Sequence, residues 1–217
     1  MLLMVAATRT ELEPFCASGK ERPKCLTLLS GVGPVEASYS LTVLLAHLPS
    51  LPHVVVNFGL AGAYPSCGLE LLDLCLAEEE VFGDFGIVYQ DRVEAMSSSF
   101  APASEFVCDP PLLASAAKAL TLAGMPFRTG RFATVAGVSG TTLRAESLRD
   151  SCRAICENME GAALARVCQG FGIPFLEFRC ISNMAVNRAE QVWHINGAAR
   201  RCSQAAAIIA EGLSIEF

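Results

Sequence analysis

Short apolar segments alternate with amphipathic segments along nearly the whole chain, and this alternation constrains the fold more than any other feature. Leu2–Ala7, Cys25–Ser30, "HVVVNFGLAG" and "IPFLEFRCISN" are apolar runs bounded by polar residues or glycine, which predicts buried strands. "SGVGPVEASYSLTVLLAHL" and "PPLLASAAKALTLAG" have the pattern of helices opened by turns. The alternation predicts a three-layer α/β fold, with a mixed, largely parallel central sheet and helices on both of its faces.

Length and composition narrow the class of protein. The chain has 217 residues, which suits one domain over residues 1–217, and 52% of them are hydrophobic, enough for a large core. No apolar run reaches the roughly 20 residues that cross a bilayer, and the opening "MLLMVAATRTELEPF" lacks the basic segment of a signal peptide. The net charge of −6 argues against a nucleic-acid partner. Ten scattered cysteines are typical of the reducing cytoplasm.

Polar residues follow several of the predicted strands. Glu11 follows the first strand, "SGVG" the second, "NFGLAG" the third, and Ser182-Asn183 the late strand, while Glu160 opens a helix. In an open α/β sheet, ligands bind at the carboxyl ends of the strands. Two carboxylates, one carboxamide and two glycine loops therefore predict a site for a small polar ligand.

The segment "CENMEGAA" places Glu157 and Glu160 just ahead of a run of small residues. Acidic residues favour the positive N-terminal end of a helix, so a solvated helix charge is the simpler interpretation of each. The small residues that follow would instead let the backbone approach a ligand closely. The segment alone leaves both interpretations open.

Several familiar motifs are excluded. "SGVG" falls short of a dinucleotide-binding pattern because Glu36 stands where the third glycine would be. The chain has no phosphate-binding G-x-x-x-x-G-K-[ST] loop and no G-x-S-x-G nucleophile turn. Cys152 and Cys156 are four residues apart, but no second pair or histidine cluster completes a zinc site. We therefore expect no metal.

Six segments, in this order, resemble one family. "AATRTELEPF", "SGVGPVEAS", "NFGLAGAYP", "TVAGVSGT", "ENMEGAALARVC" and "IPFLEFRCISN" are similar to segments of the purine nucleoside phosphorylase and nucleosidase superfamily. Within it they resemble the methylthioadenosine/adenosylhomocysteine nucleosidases, and more closely the futalosine hydrolases of menaquinone biosynthesis. The tail "RCISNMAVNRAEQVWHINGAA", with Asn183, Arg188 and Trp193, favours the futalosine hydrolases.

The resemblance implies roles for individual residues. Glu11 would activate water, Glu160 would bind the ribose hydroxyls, and Asn183 would contact the base, while Glu157 keeps its interpretation as a solvated charge. The resemblance also places these residues at the substrate: Ala61, Gly62, Gly140, Thr141, Met159, Ser182 and Arg188. It implies a purine nucleoside as the small-molecule partner, no cofactor, and a homodimer.

The chemistry of these residue types agrees with the resemblance. Cleavage of an N-glycosidic bond passes through an oxocarbenium-like sugar. A carboxylate near the anomeric carbon can orient water as a base and offset the developing positive charge. Where adenine-specific members of the family carry an aspartic acid that protonates N7 of the base, this chain has Asn183. A carboxamide delivers no proton, which favours a base that leaves readily as an anion.

The predicted reaction is hydrolysis of futalosine to hypoxanthine and dehypoxanthine futalosine. Asn183 could also pair with the N6/N7 edge of adenine, so two alternatives remain: a nucleosidase for methylthioadenosine, adenosylhomocysteine or aminofutalosine, and a non-catalytic purine nucleoside-binding protein. Related phosphorylases hold phosphate with arginines and a serine, but the corresponding third-strand positions here are Asn57 and Leu60. Glu11 would repel phosphate, although Arg9 is close in sequence, so water is the expected nucleophile.

Overall fold

A computed structural model describes residues 1–17, 25–89, 92–94, 96, 99 and 103–214. Strands and helices alternate along much of the described chain, as the sequence predicts, but five strands follow one another between Val54 and Val107. The strands are β1 (Leu2–Ala6), β2 (Cys25–Leu29), β3 (Val54–Ala63), β4 (Leu74–Phe82), β5 (Ile87–Val88), β6 (Val93–Glu94), β7 (Glu105–Val107), β8 (Phe127–Thr134), β9 (Cys156–Asn158) and β10 (Phe175–Met184). The helices are α1 (Arg9–Cys16), α2 (Pro34–His47), α3 (Pro110–Leu122), α4 (Thr142–Cys152), α5 (Gly161–Phe171) and α6 (Ile195–Ser214), with a short 3-10 helix at Arg188–Glu190.

The central sheet has the strand order β10-β4-β8-β9-β3-β1-β2, with β7 paired to β4 and an additional pairing between β10 and β3. β1 pairs in parallel with β2 and β3, β3 with β10, and β8 with β4 and β9. β4 is antiparallel to β10 and β7, and β9 is antiparallel to β3. The α/β class is confirmed, but the sheet is mixed rather than largely parallel.

Side chains that alternate along the strands form one apolar core on each face of this sheet. Leu2 and Met4 of β1 belong to the core that contains buried residues of α3 and α6. Leu3 and Val5 belong to the core that contains buried residues of α2 and α5. Because both faces of the sheet are covered, its strands are continuous apolar runs, as the sequence shows.

Two segments differ from the sequence-based expectation. The residues just before α5 form the strand β9 rather than a helix entry, and β9 joins β8 to β3. The segment from Met96 to Pro111, whose serine, alanine and proline residues predict a loop, contains β7, whose register places Glu105 opposite Val81 of β4; part of that segment lies outside the described residues. Within the described part of the chain, no helix is long and apolar enough to cross a membrane.

Candidate active site

A cleft of about 250 Å³ opens at the carboxyl ends of β1, β3 and β10, beside the N-terminus of α5. Seven of the ten predicted site residues line it: Glu11, Ala61, Gly62, Met159, Glu160, Ser182 and Asn183. A larger cavity of about 330 Å³ lies against β7 and the start of α3. Its carboxylate, Asp109, already caps α3 by accepting from the N–H of Leu112. The smaller cleft therefore carries more polar side chains than this cavity does.

Glu11 is held in the cleft by three hydrogen-bond donors. It lies in the first turn of α1 and its side chain is 5% exposed. Oε2 accepts from the backbone N–H of Thr8 at 2.8 Å and from its hydroxyl at 2.7 Å. Oε1 accepts from the N–H of Leu60 at 2.9 Å. A Cβ at position 59 would collide with Oε1, so the glycine found there makes room for the carboxylate.

Glu160 is the N-cap residue of α5 and is 4% exposed. Its Oε1 accepts a hydrogen bond from the N–H of Gly33 at 3.0 Å. Gly33 has a positive φ of 91° and opens α2, so the "SGVG" turn reaches across the cleft to this carboxylate. Asn158 supports the same corner, because its Oδ1 accepts from the N–H groups of Glu160 and Gly161.

Arg179 is a cleft residue that the sequence did not predict. It lies in β10, is 1% exposed, and lines the cleft. Its Nη2 lies 3.3 Å from Glu160 Oε2, and its Nη1 donates to the carbonyl of Leu60 at 3.2 Å. Its Nε donates to Glu177 Oε1 at 2.7 Å. The signal in the sequence is an arginine inside a buried strand, where a charge must be paired to be tolerated.

A second pair of carboxyl groups lies beneath the cleft. Glu80 and Glu177 are both 0% exposed, and a Cβ at Gly161 would collide with an oxygen of each. Burial raises the pKa of Glu80 well above its ordinary value, and the charge of Glu177 raises it further. Burial also raises the pKa of Glu177, but Arg179 opposes that effect. Arg179 thus favours the ionised form of Glu177, and burial beside Glu177 favours the protonated form of Glu80.

Ser182 and Asn183 lie near the C-terminal end of β10, the strand that carries Arg179. The Ser182 hydroxyl lies 2.9 Å from Asn183 Oδ1 and donates to it. This bond occupies the oxygen of the carboxamide and leaves its NH₂ group with one long contact, 3.4 Å to the carbonyl of Met184. Asn183 is 5% exposed and lines the cleft, so it offers a donor to a ligand there.

The interpretation of Glu157 as a solvated helix charge is wrong. Glu157 belongs to β9, is 3% exposed, and lines the cleft. Its Oε1 accepts from the N–H of Ser139 at 2.7 Å, and its Oε2 accepts from the Ser139 hydroxyl at 2.6 Å. Burial raises the pKa of Glu157, and the two bonds from Ser139 work against that rise.

Three predicted residues lie outside the cleft lining. Thr141 caps α4 by accepting from the N–H of Arg144, and the Gly140 carbonyl accepts from the N–H of Arg188 at 3.0 Å. The Arg188 guanidinium lies 4.9 Å from the ring centroid of Trp193, which does line the cleft. The structure therefore places Gly140 and Thr141 behind Ser139, and Arg188 at the rim.

The family follows from comparison with known proteins. The family model described as the phosphorylase superfamily matches residues 14–214. The chain belongs to the phosphorylase superfamily. It is 33% identical over 210 residues to the futalosine hydrolase of Thermus thermophilus, which covers 89% of this chain and 88% of the relative. It is 34% identical over 170 residues to the 5'-methylthioadenosine/S-adenosylhomocysteine nucleosidase of Geobacillus kaustophilus, which covers 75% of this chain and 68% of that relative.

Solved structures of the superfamily share the fold. The S-adenosylhomocysteine nucleosidase of Streptococcus pyogenes, in complex with 5-methylthiotubericidin, matches with a TM-score of 0.80 at 22% identity and covers 98% of this chain and 96% of its own. The relatives named here are nucleosidases. The predicted enzyme class, an N-glycosyl hydrolase acting on purine nucleosides, is confirmed at that level.

Proposed function

We propose that this protein hydrolyses the N-glycosidic bond of a 5'-modified purine nucleoside, and that this nucleoside is futalosine. One observation carries the proposal: Glu11, Glu160 and Asn183, from three separate parts of the chain, line the same cleft. One carboxylate suits the attacking water, the second suits the sugar hydroxyls, and the carboxamide suits the base. The 33% identity to a futalosine hydrolase supports the choice of substrate.

Glu11 is proposed to activate the water. The carboxylate accepts a proton from water while the water oxygen bonds to C1' of the ribose. The electron pair of the C1'–N9 bond leaves with the base. The three donors on Glu11 fix the carboxylate in place before the reaction. Its negative charge also offsets the positive charge that develops on the sugar ring.

Glu160 is proposed to bind the ribose. Its carboxylate can accept hydrogen bonds from the 2' and 3' hydroxyls while Gly33 and Arg179 hold it in place. Met159 is half-buried beside it and offers an apolar surface to the sugar. Buried hydroxyls bound to a charged acceptor position the ring for attack, because such hydrogen bonds are stronger than neutral ones.

Asn183 is proposed to bind the leaving base. Because the Ser182 hydroxyl donates to Oδ1, the Asn183 NH₂ group points its hydrogens elsewhere and can donate to N7 and O6 of a 6-oxopurine. Such donors stabilise a base that leaves as an anion. Hypoxanthine fits this requirement better than adenine, whose departure depends more on protonation.

Water is proposed as the nucleophile because the charges of the cleft oppose phosphate. Among the described residues that line it, Glu11, Glu157 and Glu160 are acidic, and Arg179 is the one cation. Arg179 is already paired with Glu177 and Glu160. The Arg9 side chain, the other candidate from the sequence, is 80% exposed and paired with Glu13. Phosphate would therefore enter the cleft without a free cation to bind it.

The 5' group of the nucleoside is proposed to extend toward Trp193 and Ile195 at the rim of the cleft. Trp193 offers a ring on which an aryl group can stack, and Arg188 lies over the same ring. The Arg188 guanidinium would bind the carboxylate of futalosine from there. This arrangement favours a substrate with an acidic aromatic 5' group.

Methylthioadenosine, adenosylhomocysteine or aminofutalosine is the alternative substrate, supported by the 34% identity to a nucleosidase of that class. A non-catalytic nucleoside-binding protein is the other alternative.

We also propose a cytoplasmic homodimer. The ten free cysteines suit a reducing compartment, and α2 exposes Val35 (75%) and Tyr39 (67%), which a second copy of the chain would cover.

The proposed function is tested by incubating the purified protein with futalosine, aminofutalosine, methylthioadenosine and inosine, each with and without phosphate. Chromatography then identifies the released base and sugar. We expect hypoxanthine and a free sugar from futalosine, at a rate that does not change with phosphate. Release of a sugar 1-phosphate would show a phosphorylase, and release of no base would show a binding protein.

A further inference from the structure

Glu157 is a buried carboxylate in the cleft that the proposed reaction does not use. Glu157 of β9 and Asn183 of β10 are both in register with Gly62 of β3, one on each side. Neighbouring strands are about 4.8 Å apart, and residues in register point to the same face of a sheet. The two side chains therefore flank one spot on the floor of the cleft.

Gly62 leaves that spot empty of side chain. A Cβ built there would lie 3.2 Å from Asn183 Nδ2 and 3.5 Å from Glu157 Cγ. A flat ring resting on Gly62 would thus have the carboxamide on one edge and the carboxylate on another. A purine has this shape, with N7 and O6 on one side and N1 on the next.

Ser139 holds Glu157 as a hydrogen-bond acceptor. Its N–H and its hydroxyl bond to different oxygens of the carboxylate, at 2.7 and 2.6 Å. Each carboxylate oxygen has lone pairs for a further donor. The Glu157 carboxylate is therefore fixed in position and can accept a hydrogen bond from a ligand in the cleft.

We propose that Glu157 is a specificity-determining residue that accepts a hydrogen bond from N1–H of a 6-oxopurine. N1 of a 6-oxopurine carries a hydrogen, whereas N1 of a 6-aminopurine is itself an acceptor. A carboxylate opposite adenine N1 would leave two acceptors in contact and unpaired inside the protein. Glu157 thus selects against adenine on the edge that Asn183 does not reach. The inference rests on the proposed function for the orientation of the nucleoside.

Binding of free bases tests the inference without relying on catalysis. Calorimetry would compare hypoxanthine, 1-methylhypoxanthine and adenine against the unaltered protein. We expect hypoxanthine to bind at least about 10-fold more tightly than either of the other bases, since a buried site rejects a ligand that lacks its hydrogen bond. Equal binding of hypoxanthine and 1-methylhypoxanthine would overturn the inference.

The Glu157→Gln variant provides a second test. Futalosine and aminofutalosine differ only at the base, so the ratio of their kcat/KM values reports base selection. Glu157→Gln should lower that ratio at least about 10-fold, because a carboxamide can donate to adenine N1. Glu13→Gln, an exposed change on α1, is the matched control and should leave the ratio unchanged.

The outcomes separate the two proposals. Selective binding of hypoxanthine without release of base would leave the inference standing and overturn the proposed hydrolysis. Release of base with a ratio that Glu157→Gln leaves unchanged would overturn the inference and leave the hydrolysis standing. An equal loss on both substrates would show a structural role for Glu157 and would also overturn the inference.

Discussion

Arg179 Nη2 lies 3.3 Å from Glu160, and Arg179 Nη1 donates to the carbonyl of Leu60, whose own N–H binds Glu11. One buried guanidinium thus connects the carboxylate proposed to activate water with the carboxylate proposed to bind ribose. Glu11 and Glu160 are thus both anchored to the paired strands β3 and β10, Glu11 through Leu60 and Glu160 through Arg179. The two carboxylates can therefore be altered singly while the framework between them stays in place.

Glu11→Gln should lower kcat by about 10²-fold or more, the usual scale for a general base, with little change in KM. The variant keeps an oxygen that can accept from Thr8 or Leu60 but cannot take a proton from water. Steady-state release of base measures the effect. Glu13→Gln, two residues along the same helix and exposed, is the control and should retain full activity. A Glu11→Gln enzyme with normal kcat would remove Glu11 from the mechanism.

Glu160→Gln should raise KM and lower kcat together. The sugar hydroxyls would lose a charged acceptor, and Arg179 would lose one of its two ion pairs. Loss of one charged hydrogen bond corresponds to about 1.5–3 kcal/mol, or roughly 10- to 150-fold in kcat/KM. For a matched substrate without the 2' hydroxyl, kcat/KM should fall much less from wild type to variant. Equal losses on both substrates would argue against ribose binding by Glu160.

Asn183→Asp should shift preference from hypoxanthine toward adenine. An aspartic acid can protonate N7 and accept from the 6-amino group, whereas its second oxygen would face O6 of hypoxanthine. Leaving such a group unpaired costs about 1–3 kcal/mol, so we expect the kcat/KM ratio of futalosine to aminofutalosine to fall by about 10-fold or more. If the ratio in wild type is near one and the variant leaves it there, Asn183 does not select the base.

Glu80→Gln should make stability less dependent on pH. The pKa of Glu80 is raised in the folded protein, so between the ordinary glutamate value of about 4.3 and the raised value only the folded chain keeps the proton. The free energy of unfolding therefore falls as pH rises through that window. Glutamine resembles the protonated acid but does not titrate. The variant should therefore lose the contribution of one proton to the slope of the unfolding free energy against pH, about 1.4 kcal/mol per pH unit. Urea unfolding of both proteins from pH 5 to 9 measures this slope. Equal slopes for wild type and variant would contradict the raised pKa of Glu80.

Tyr39→Asp should convert the proposed homodimer to a monomer. Tyr39 lies 67% exposed on α2, which also exposes Val35 (75%) and Val43 (40%). A charge in an apolar contact between two copies would be buried without a partner. Light scattering at working concentration gives the mass. Leu122→Asp, at a 79% exposed leucine on α3 on the other face of the sheet, is the control and should not change the mass. A monomeric wild type would contradict the dimer.

Most strands and helices could be predicted from the sequence because their signals are local. β1 and β3 are apolar runs with polar or glycine boundaries, and α3 begins at Pro110 behind the capping residue Asp109. β9 has only three residues and is defined by its partners β8 and β3, which no local pattern reveals. The antiparallel pairings of β4 likewise depend on contacts between segments distant in the chain.

Residues of the cleft could be predicted where a polar side chain stands at the carboxyl end of a strand, as Glu11 does after β1 and Asn183 does near the end of β10. The other residues in and beneath the cleft are determined by burial, which the sequence does not show. Glu80 belongs to "EEE", which has the composition of a solvated segment, yet it is fully buried against Glu177. Glu157 is a buried cleft residue because β9 pairs with β3, and Arg179 lines the cleft paired with Glu177 of its own strand and with Glu160 at the start of α5. Such pairings follow from tertiary structure, so these residues needed the structure to be recognised.

Leu60 contributes its backbone, not its side chain, to the link between Glu11 and Arg179. Point mutations exchange side chains and leave the peptide groups of a strand where they are, except for proline. The Leu60 side chain meanwhile lines the cleft. Position 60 is therefore a place where evolution or a protein engineer could remodel the cleft while the Glu11 carboxylate keeps its anchor.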